Sequence, residues 1–487
     1  MKKYNKIIVA ALVLATAGCK KSYFDINQDP NHASSSTPEL ILPNALVTTA
    51  APITTQGSLN GWMGYWAPSG SYAHAPGDVA SYVQTPNTGY GNWGGNYDNL
   101  EDYEYTRTQA IAQGKPFYQG AAIIMQAFVF QQLVDQFNNV PYSEALKGTG
   151  NIQPKYDDAK TIYESLSTNL GNAATLMLRP DAIGAATSDV IFGGVGLKWA
   201  QFANTLRLRL LMHQTQMAGR SAYIQAEINK ILANGAGFLI TDAAVNPGYA
   251  ANTGQQNPFW GFCINTAGTY TQDYWRANKY AIAFGVANND IRYQYWYAPI
   301  TSGAYVGNGL GGQNAVGSLS SVFGPGLLKS VSQSAVLISL AESDFLQAEA
   351  GLRGFINNNP LALFNAGVAA SFSALGVANA ATVAANYTSQ NNKNTSYAAC
   401  TNFNEQLACI IRQKWANNNT LTPMESWSDY RRLGLPADIP ISTSVDIDVP
   451  SIPLRFLYPQ TEYSSNPTNV GAQGTINPHA SKIFWMP

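Results

Sequence analysis

Ten tryptophans and 27 tyrosines stand in this chain of 487 residues, and their placement suggests chemistry before any fold is considered. Trp62, Trp66, Tyr72 and Trp93 fall in one stretch rich in Gly, Ser, Asn and Pro; Trp260, Tyr270, Trp275 and Trp296 fall in a second of similar character. Tyr and Trp combine an apolar ring with a polar handle, which suits a wet contact surface. Sugars have the complementary form, a CH face bounded by hydroxyls whose protons Asn, Asp and Gln accept. These eight residues are the expected stacking surface for a glycan, with peptide as the second fitting ligand class. Each ring has an alternative use, gluing a long loop to the core. Trp199, Trp415 and Trp427 lie in helical patterns and are assigned to that core.

In or near the same stretches lie Asp78, Asp98, Glu101, Asp102, Asp273 and Asp290. A glycosidase needs two carboxyl groups flanking the bond it cleaves, so surface glycoside hydrolysis rivals simple binding. The same carboxylates serve equally as hydroxyl acceptors or loop caps. Other chemistries lack parts. His32, His74, His213 and His479 are scattered, and no nucleophile elbow, Walker loop or zincin spacing occurs, so a Ser or Cys nucleophile has no evident base. Gly307-Asn308-Gly309-Leu310-Gly311-Gly312 spells a dinucleotide pattern, but no amphipathic helix follows it directly and the next acid is Glu342; a glycine-rich loop is the better reading. The expectation is a protein that is not an enzyme and needs no cofactor or metal.

Charged residues make up 12% of the chain, about half the ordinary share, and Lys+Arg 28 against Asp+Glu 29 leaves a net charge of −1. Without a basic stripe the chain lacks the footprint of nucleic-acid binding. The N-terminus points elsewhere. Lys2, Lys3 and Lys6 precede an apolar run from Ile7 to Ala17, and Leu14-Ala15-Thr16-Ala17-Gly18-Cys19 ends in small residues before a cysteine. The run is too short to span a bilayer and reads as a signal peptide, residues 1–18. The small residues before Cys19 form a lipobox, in which that thiol takes a diacylglycerol that anchors the body to a membrane. Residues 19–37 are then the tether. Of the other cysteines, Cys400 and Cys409 are close enough in sequence to leave their pairing open, and no CxxC or neighbouring His suggests zinc.

The elements that must position these residues are mostly helices. Apolar residues at three-four spacing mark helices opening at Pro38 and Pro116, then over 158–178, 195–218, from Ser221 to a stop at Gly235, and over 338–353, 360–375 and 404–417. Thr422-Pro423-Met424-Glu425 reads as a capping box opening another helix. Two excursions, about 51–105 and 240–335, read as aromatic-bearing loops with a few short strands, and the last fifty residues as Pro-rich and extended. With no linker between halves, residues 38–487 are expected to form a single mainly α domain of paired antiparallel helices.

Several segments, in order, resemble one family. They are Phe24-Asp25-Ile26-Asn27 through Pro30-Asn31, Thr37-Pro38-Glu39-Leu40, the run Phe137 to Ala145, Pro154-Lys155-Tyr156-Asp157, Trp199 to Arg209, Ala341 to Gly354, Gln413-Lys414-Trp415, Glu425 to Arg432, and Ile452-Pro453-Leu454-Arg455 with Tyr458-Pro459 and Glu462. Together they resemble the SusD/RagB-like outer-membrane lipoproteins. Asn139 stands where that family usually has Asp, and Asp290-Ile291-Arg292 replaces its usual Asp-Pro-Arg. The resemblance implies a tetratricopeptide-like helical scaffold whose ligand loops lie opposite the face that caps a SusC-like TonB-dependent transporter. It implies a non-catalytic lid at the cell surface, anchored in the outer membrane, that captures oligosaccharide or peptide nutrient. The matching motifs mark scaffold, so no ligand residue is carried over from the family. Calcium occurs in some relatives, and no carboxylate-rich loop here demands it.

Overall fold

The computed structural model describes residues 36–54, 56–72, 79–312 and 314–487. The signal peptide, Cys19 and nearly all of the tether lie outside the described residues, as do His74 and Asp78. In chain order the helices are α1 (Pro38–Thr54), α2 (Gly57–Trp62), α3 (Tyr90–Ala112), α4 (Pro116–Phe137), α5 (Ala159–Met177), α6 (Gly196–His213), α7 (Ser221–Ala233), α8 (Pro258–Cys263), α9 (Lys279–Ala287), α10 (Tyr293–Trp296), α11 (Leu340–Leu352), α12 (Pro360–Ala374), α13 (Ala380–Thr388), α14 (Phe403–Asn418), α15 (Pro423–Leu433), α16 (Gln460–Ser465) and α17 (Pro467–Gly471). Three antiparallel two-stranded pairs complete the set: β1 (Trp66–Pro68) with β5 (Trp275–Ala277), β2 (Val140–Pro141) with β3 (Tyr156–Asp157), and β4 (Ala243–Val245) with β6 (Ala335–Ile338).

Local chemistry explains the starts. Pro116 and Pro360 sit in the first turn, where a missing N–H costs nothing. Asp158 accepts the Thr161 N–H at 2.9 Å, and Asn402 accepts that of Glu405 at 3.1 Å. Short links then make neighbours antiparallel: only three residues separate α3 from α4, and Lys115 in that turn pairs with Glu39 of α1 at 2.6 Å. α1, α3, α4, α5 and α6 pack in succession, and in a second group α11 packs on α12 and α14 while α12 packs on α13. This is a tetratricopeptide-like helical scaffold.

The groups are joined through buried ion pairs. Arg209 of α6 meets Glu342 of α11 at 2.8 Å, Arg432 of α15 grips Glu349 of α11 at 2.6 Å and Asp429 at 2.8 Å, and Lys414 of α14 reaches Asp429 at 3.1 Å. The arginines near Glu349 outweigh the burial that would raise its carboxyl, and hold it down at about 2. Asp290 and Arg292 pair at 2.6 Å, fully buried, so Ile291 in place of the family's Pro leaves that contact intact. Asn139 accepts the Ala159 N–H at 3.0 Å, which joins the end of α4 to the start of α5 without a carboxylate.

Three expectations need correction. The stretch 51–105 is not loop throughout, because α3 takes up Trp93, Tyr97, Tyr103 and Tyr105. Its Gly and Asn content lowers intrinsic helix propensity, and packing between α1 and α4 supplies what propensity lacks. Thr422 makes no side-chain cap, and Glu425 turns inward to His213 at 3.0 Å instead of capping α15. The C-terminal segment includes the short helices α16 and α17. Trp199, Trp415 and Trp427 are core, as expected.

Candidate functional site

The β1–β5 pair brings the two aromatic stretches together, with Pro68 opposite Trp275 and Trp66 opposite Ala277. From this pair a ladder of rings runs outward. Trp66, fully buried, lies 5.6 Å from Trp275; Trp275 is 4.8 Å from Tyr274; Tyr274 is 5.3 Å from Tyr72, which is 43% exposed. The last two contacts are edge to face, an arrangement that the ring quadrupoles favour. Gln272 sets the turn by accepting the N–H groups of Tyr274 and Trp275, both at 3.0 Å.

The ladder is held from behind at three points. Trp66 stacks on Phe262 at 6.0 Å, and its indole N–H donates to Thr420 at 2.8 Å. The Trp275 ring lies over α2, where a Cβ on Gly57 would stand 2.7 Å from Cζ2, so the approach requires glycine. Asn308, in the glycine-rich loop, donates to the Pro68 carbonyl at 3.0 Å. Next to it, a Cβ on Gly307 would meet the Lys279 backbone at 2.5 Å. The literal dinucleotide pattern is therefore a brace behind β1 and β5.

Polar groups accompany the rings. Asp273, its side chain 55% exposed, receives the buried Arg276 guanidinium at 2.5 Å and the Tyr72 hydroxyl at 3.3 Å. Arg276 spends its other N–H groups on the carbonyls of Gln272, Trp275 and Gly317. Asp273 is thus a fixed acceptor beside an exposed ring.

Of the eight residues expected to form a stacking surface, Tyr72 and Trp275 form the outer part of this ladder and Trp66 its buried root. Tyr270 is partly buried, with its backbone bridged to Ile264 in the turn before β5, and Trp260 is partly exposed on α8. The other four are corrected: Trp62, Trp66, Trp93 and Trp296 are buried and offer no face to a ligand. Trp62 is enclosed by Phe456, Trp427 and Tyr82, Trp93 by Phe137, Tyr156 and Tyr458, and Trp296 lies within the Arg292 cluster. Isolated in sequence, a large ring near Gly and Asn looks exposed; burial of its large apolar area sends it to the core. Tyr274, Gln272 and Arg276 were absent from the expected set. The i, i+3 pair Asp273 and Arg276 within an aromatic run was their available signal.

Several concavities lie apart from the ladder, and two of them adjoin. A groove of about 520 Å³ is lined by Glu104, Arg107, Gln126, Phe130, Tyr142 and Asn169. It shares Ala145, Leu146 and Lys147 with a pocket of about 360 Å³ that holds Tyr97, Asp98, Glu101, Glu462 and the edge of Trp93. Partial burial, with Glu104 and Asp98 nearby, raises the Glu101 carboxyl. Of the carboxylates named for hydrolysis, Asp290 is sealed in the core against Arg292.

Asp135, His213 and Glu425 offer ligand atoms within 4.8 Å of one another. Burial works against a charged His213 ring, but Glu425 and Asp135 outweigh it and push its pKa up to about 9. An imidazolium with both nitrogens committed to acceptors is a poor metal ligand, so this cluster reads as structural.

The tetratricopeptide-like scaffold thus carries an aromatic ladder on the paired strands β1 and β5. Residues 30–459 match the SusD-like family described as "Starch-binding associating with outer membrane", and the chain belongs to that family. Among solved structures it is similar to a chitin-binding SusD homolog from Flavobacterium johnsoniae (21% identity, TM-score 0.77, 91% of this chain and 97% of that one). It is also similar to SusD homologs from Bacteroides uniformis (20%, 0.76, 92% and 99%) and Bacteroides fragilis (20%, 0.74, 93% and 99%). No curated protein sequence matches the chain.

Proposed function

We propose that this chain is a lipid-anchored, surface-facing glycan-binding protein of the outer membrane that delivers oligosaccharide to a SusC-like TonB-dependent transporter as a non-catalytic lid. The observation that carries the binding role is the Tyr72–Tyr274–Trp275 ladder with the Asp273 carboxylate beside it. An exposed ring supplies the face for a sugar, and a carboxylate held by Arg276 supplies a hydroxyl acceptor that need not be reorganised on binding. The family description as starch-binding and the likeness to a chitin-binding homolog support a glycan over a peptide. The lipobox at Cys19 supports the anchor.

The test is calorimetric titration of the protein with starch-type and chitin-type oligosaccharides and with peptide digests, each mixture being checked afterwards for cleavage. Saturable glycan binding without product, weakened in Trp275→Ala, is the expected result. Binding of peptides alone moves the same lid to another nutrient. Cleavage of a glycan, lost on changing Asp98 or Glu101, would make the protein an enzyme and overturn the reading.

A further inference from the structure

Between the β4–β6 pair and the ends of α12 and α14 lies a cavity of about 650 Å³, within the roughly 300–1,000 Å³ of small-ligand sites. It shares no residue with the ladder or with the two adjoining concavities. Strand pairing makes one wall. Side chains alternate across a strand pair, so Ala243, Val245, Ala335 and Leu337 are buried while the paired Ala244 and Val336 turn the other way and line the cavity. The 327–333 loop makes another, and it is braced from within. Gln333 accepts the backbone N–H groups of Lys329 and Ser330 at 2.7 and 3.3 Å and donates to the Leu327 carbonyl at 2.8 Å. From outside, the Asn257 side chain donates to the Gln333 carbonyl at 2.9 Å and its N–H to the Val331 carbonyl at 3.0 Å. Lys329 is thereby held at the exposed mouth, where its ammonium donates to the Ala374 carbonyl at 2.6 Å and keeps two protons for other acceptors.

Deeper in the cavity, Ser339 and Ser371 are buried. The Ser339 oxygen accepts the Glu342 N–H at 3.1 Å and the Asn417 amide at 2.9 Å, which occupies both lone pairs and leaves its proton to give. The Ser371 oxygen accepts the Arg292 guanidinium at 3.0 Å, a charged donor that polarises the hydroxyl and strengthens its own proton as a donor. One Asp242 oxygen takes the Leu340 N–H at 2.7 Å, and its carboxylate lines the same cavity as an acceptor. We propose that this cavity is a second ligand site, for an acidic sugar of the uronic acid class. The Lys329 ammonium and the two serine protons are the donors that its carboxylate takes up, Asp242 accepts its hydroxyls, and Ala244 and Val336 meet its CH groups. Among the described residues no aromatic ring lines the cavity and Lys329 is its one cation. Recognition here is therefore polar and charge-dependent, and it stands independently of the ladder.

The test is calorimetric titration of the protein with D-glucuronate, D-glucose and acetate, repeated in Lys329→Gln and Val336→Phe. D-glucuronate is expected to bind saturably and about tenfold or more tightly than glucose or acetate, because charged and neutral hydrogen bonds both add to its affinity. Lys329 is exposed, so Lys329→Gln keeps the fold, and it is expected to weaken glucuronate about tenfold or more. Val336→Phe places a ring in the cavity and is expected to abolish binding while circular dichroism stays native. Glucose held as tightly as glucuronate would overturn the acidic class, and acetate held as tightly would overturn the sugar. No saturable glucuronate binding by the wild type, or affinity unchanged in Lys329→Gln or in natively folded Val336→Phe, would overturn the site.

Discussion

His213 and Glu425 meet at 3.0 Å in the centre of the helical scaffold, with both side chains buried and the ring's other nitrogen facing Asp135 and the Tyr163 hydroxyl. One contact therefore ties α6 to α15, and Asp135 brings in α4. It also couples the fold to pH, because the ring pKa stands at about 9 against an ordinary 6.5.

A group whose folded pKa is raised stabilises fully below its unfolded value and loses that contribution as pH climbs through the folded one. Between pH 6.5 and about 9 the protein is expected to lose stability on the order of 3 kcal/mol from this residue. Thermal unfolding across pH 6 to 10 checks it. His213→Gln is expected to flatten the alkaline slope, and an unchanged slope would show that the ring does not titrate there. In the native protein, the ring's NMR titration gives the same midpoint independently.

Glu349→Gln is expected to cost about 3–5 kcal/mol in urea unfolding, because at a buried site Arg353 loses its charge partner and Arg432 keeps only Asp429. An exposed pair such as Arg179 with Asp181 provides the contrast. Asp181→Asn there should leave the unfolding midpoint at the wild-type value, since an exposed pair is screened by solvent.

Trp275→Ala and Trp66→Ala separate binding from support. The first removes a partly buried ring of the ladder and is expected to weaken oligosaccharide binding about tenfold, as loss of a stacked aromatic does, with helical content retained. The second removes a buried ring and should cost about 3–5 kcal/mol of stability as well. Equal affinities in wild type and Trp275→Ala would sink the ladder as the binding surface.

Gly57→Ala tests positioning without touching a ring. The new methyl would stand 2.7 Å from the Trp275 ring, so the indole must move, and affinity is expected to drop while circular dichroism stays native. Affinity equal to wild type would mean that the orientation of Trp275 is immaterial.

Much of the scaffold was legible because helix signals are local. Pro116, Asp158 and Ser221 begin or cap helices within their own first turn, and three-four spacing of apolar residues reports the buried face directly. Glu342 and Glu349 stand seven residues apart in one helical pattern, but their partners Arg209 and Arg432 lie far away in sequence. α3 was hidden because its Gly and Asn content argues against a helix that packing on two neighbours creates.

What the amino-acid order determines by itself is a mainly helical chain, few charged residues, and more aromatic rings than loops need. Which rings face outward is a tertiary outcome. Trp66 and Trp275 carry the same side chain on paired strands, yet Trp66 is closed in by Phe259, Phe262 and Phe323 while Trp275 retains an open edge beside Tyr274. Exposure depends on how many neighbours arrive from distant segments, and no local pattern encodes that number. The β1–β5 register and the glycine-rich brace behind it arise in the same way, from backbone segments meeting only in the folded chain.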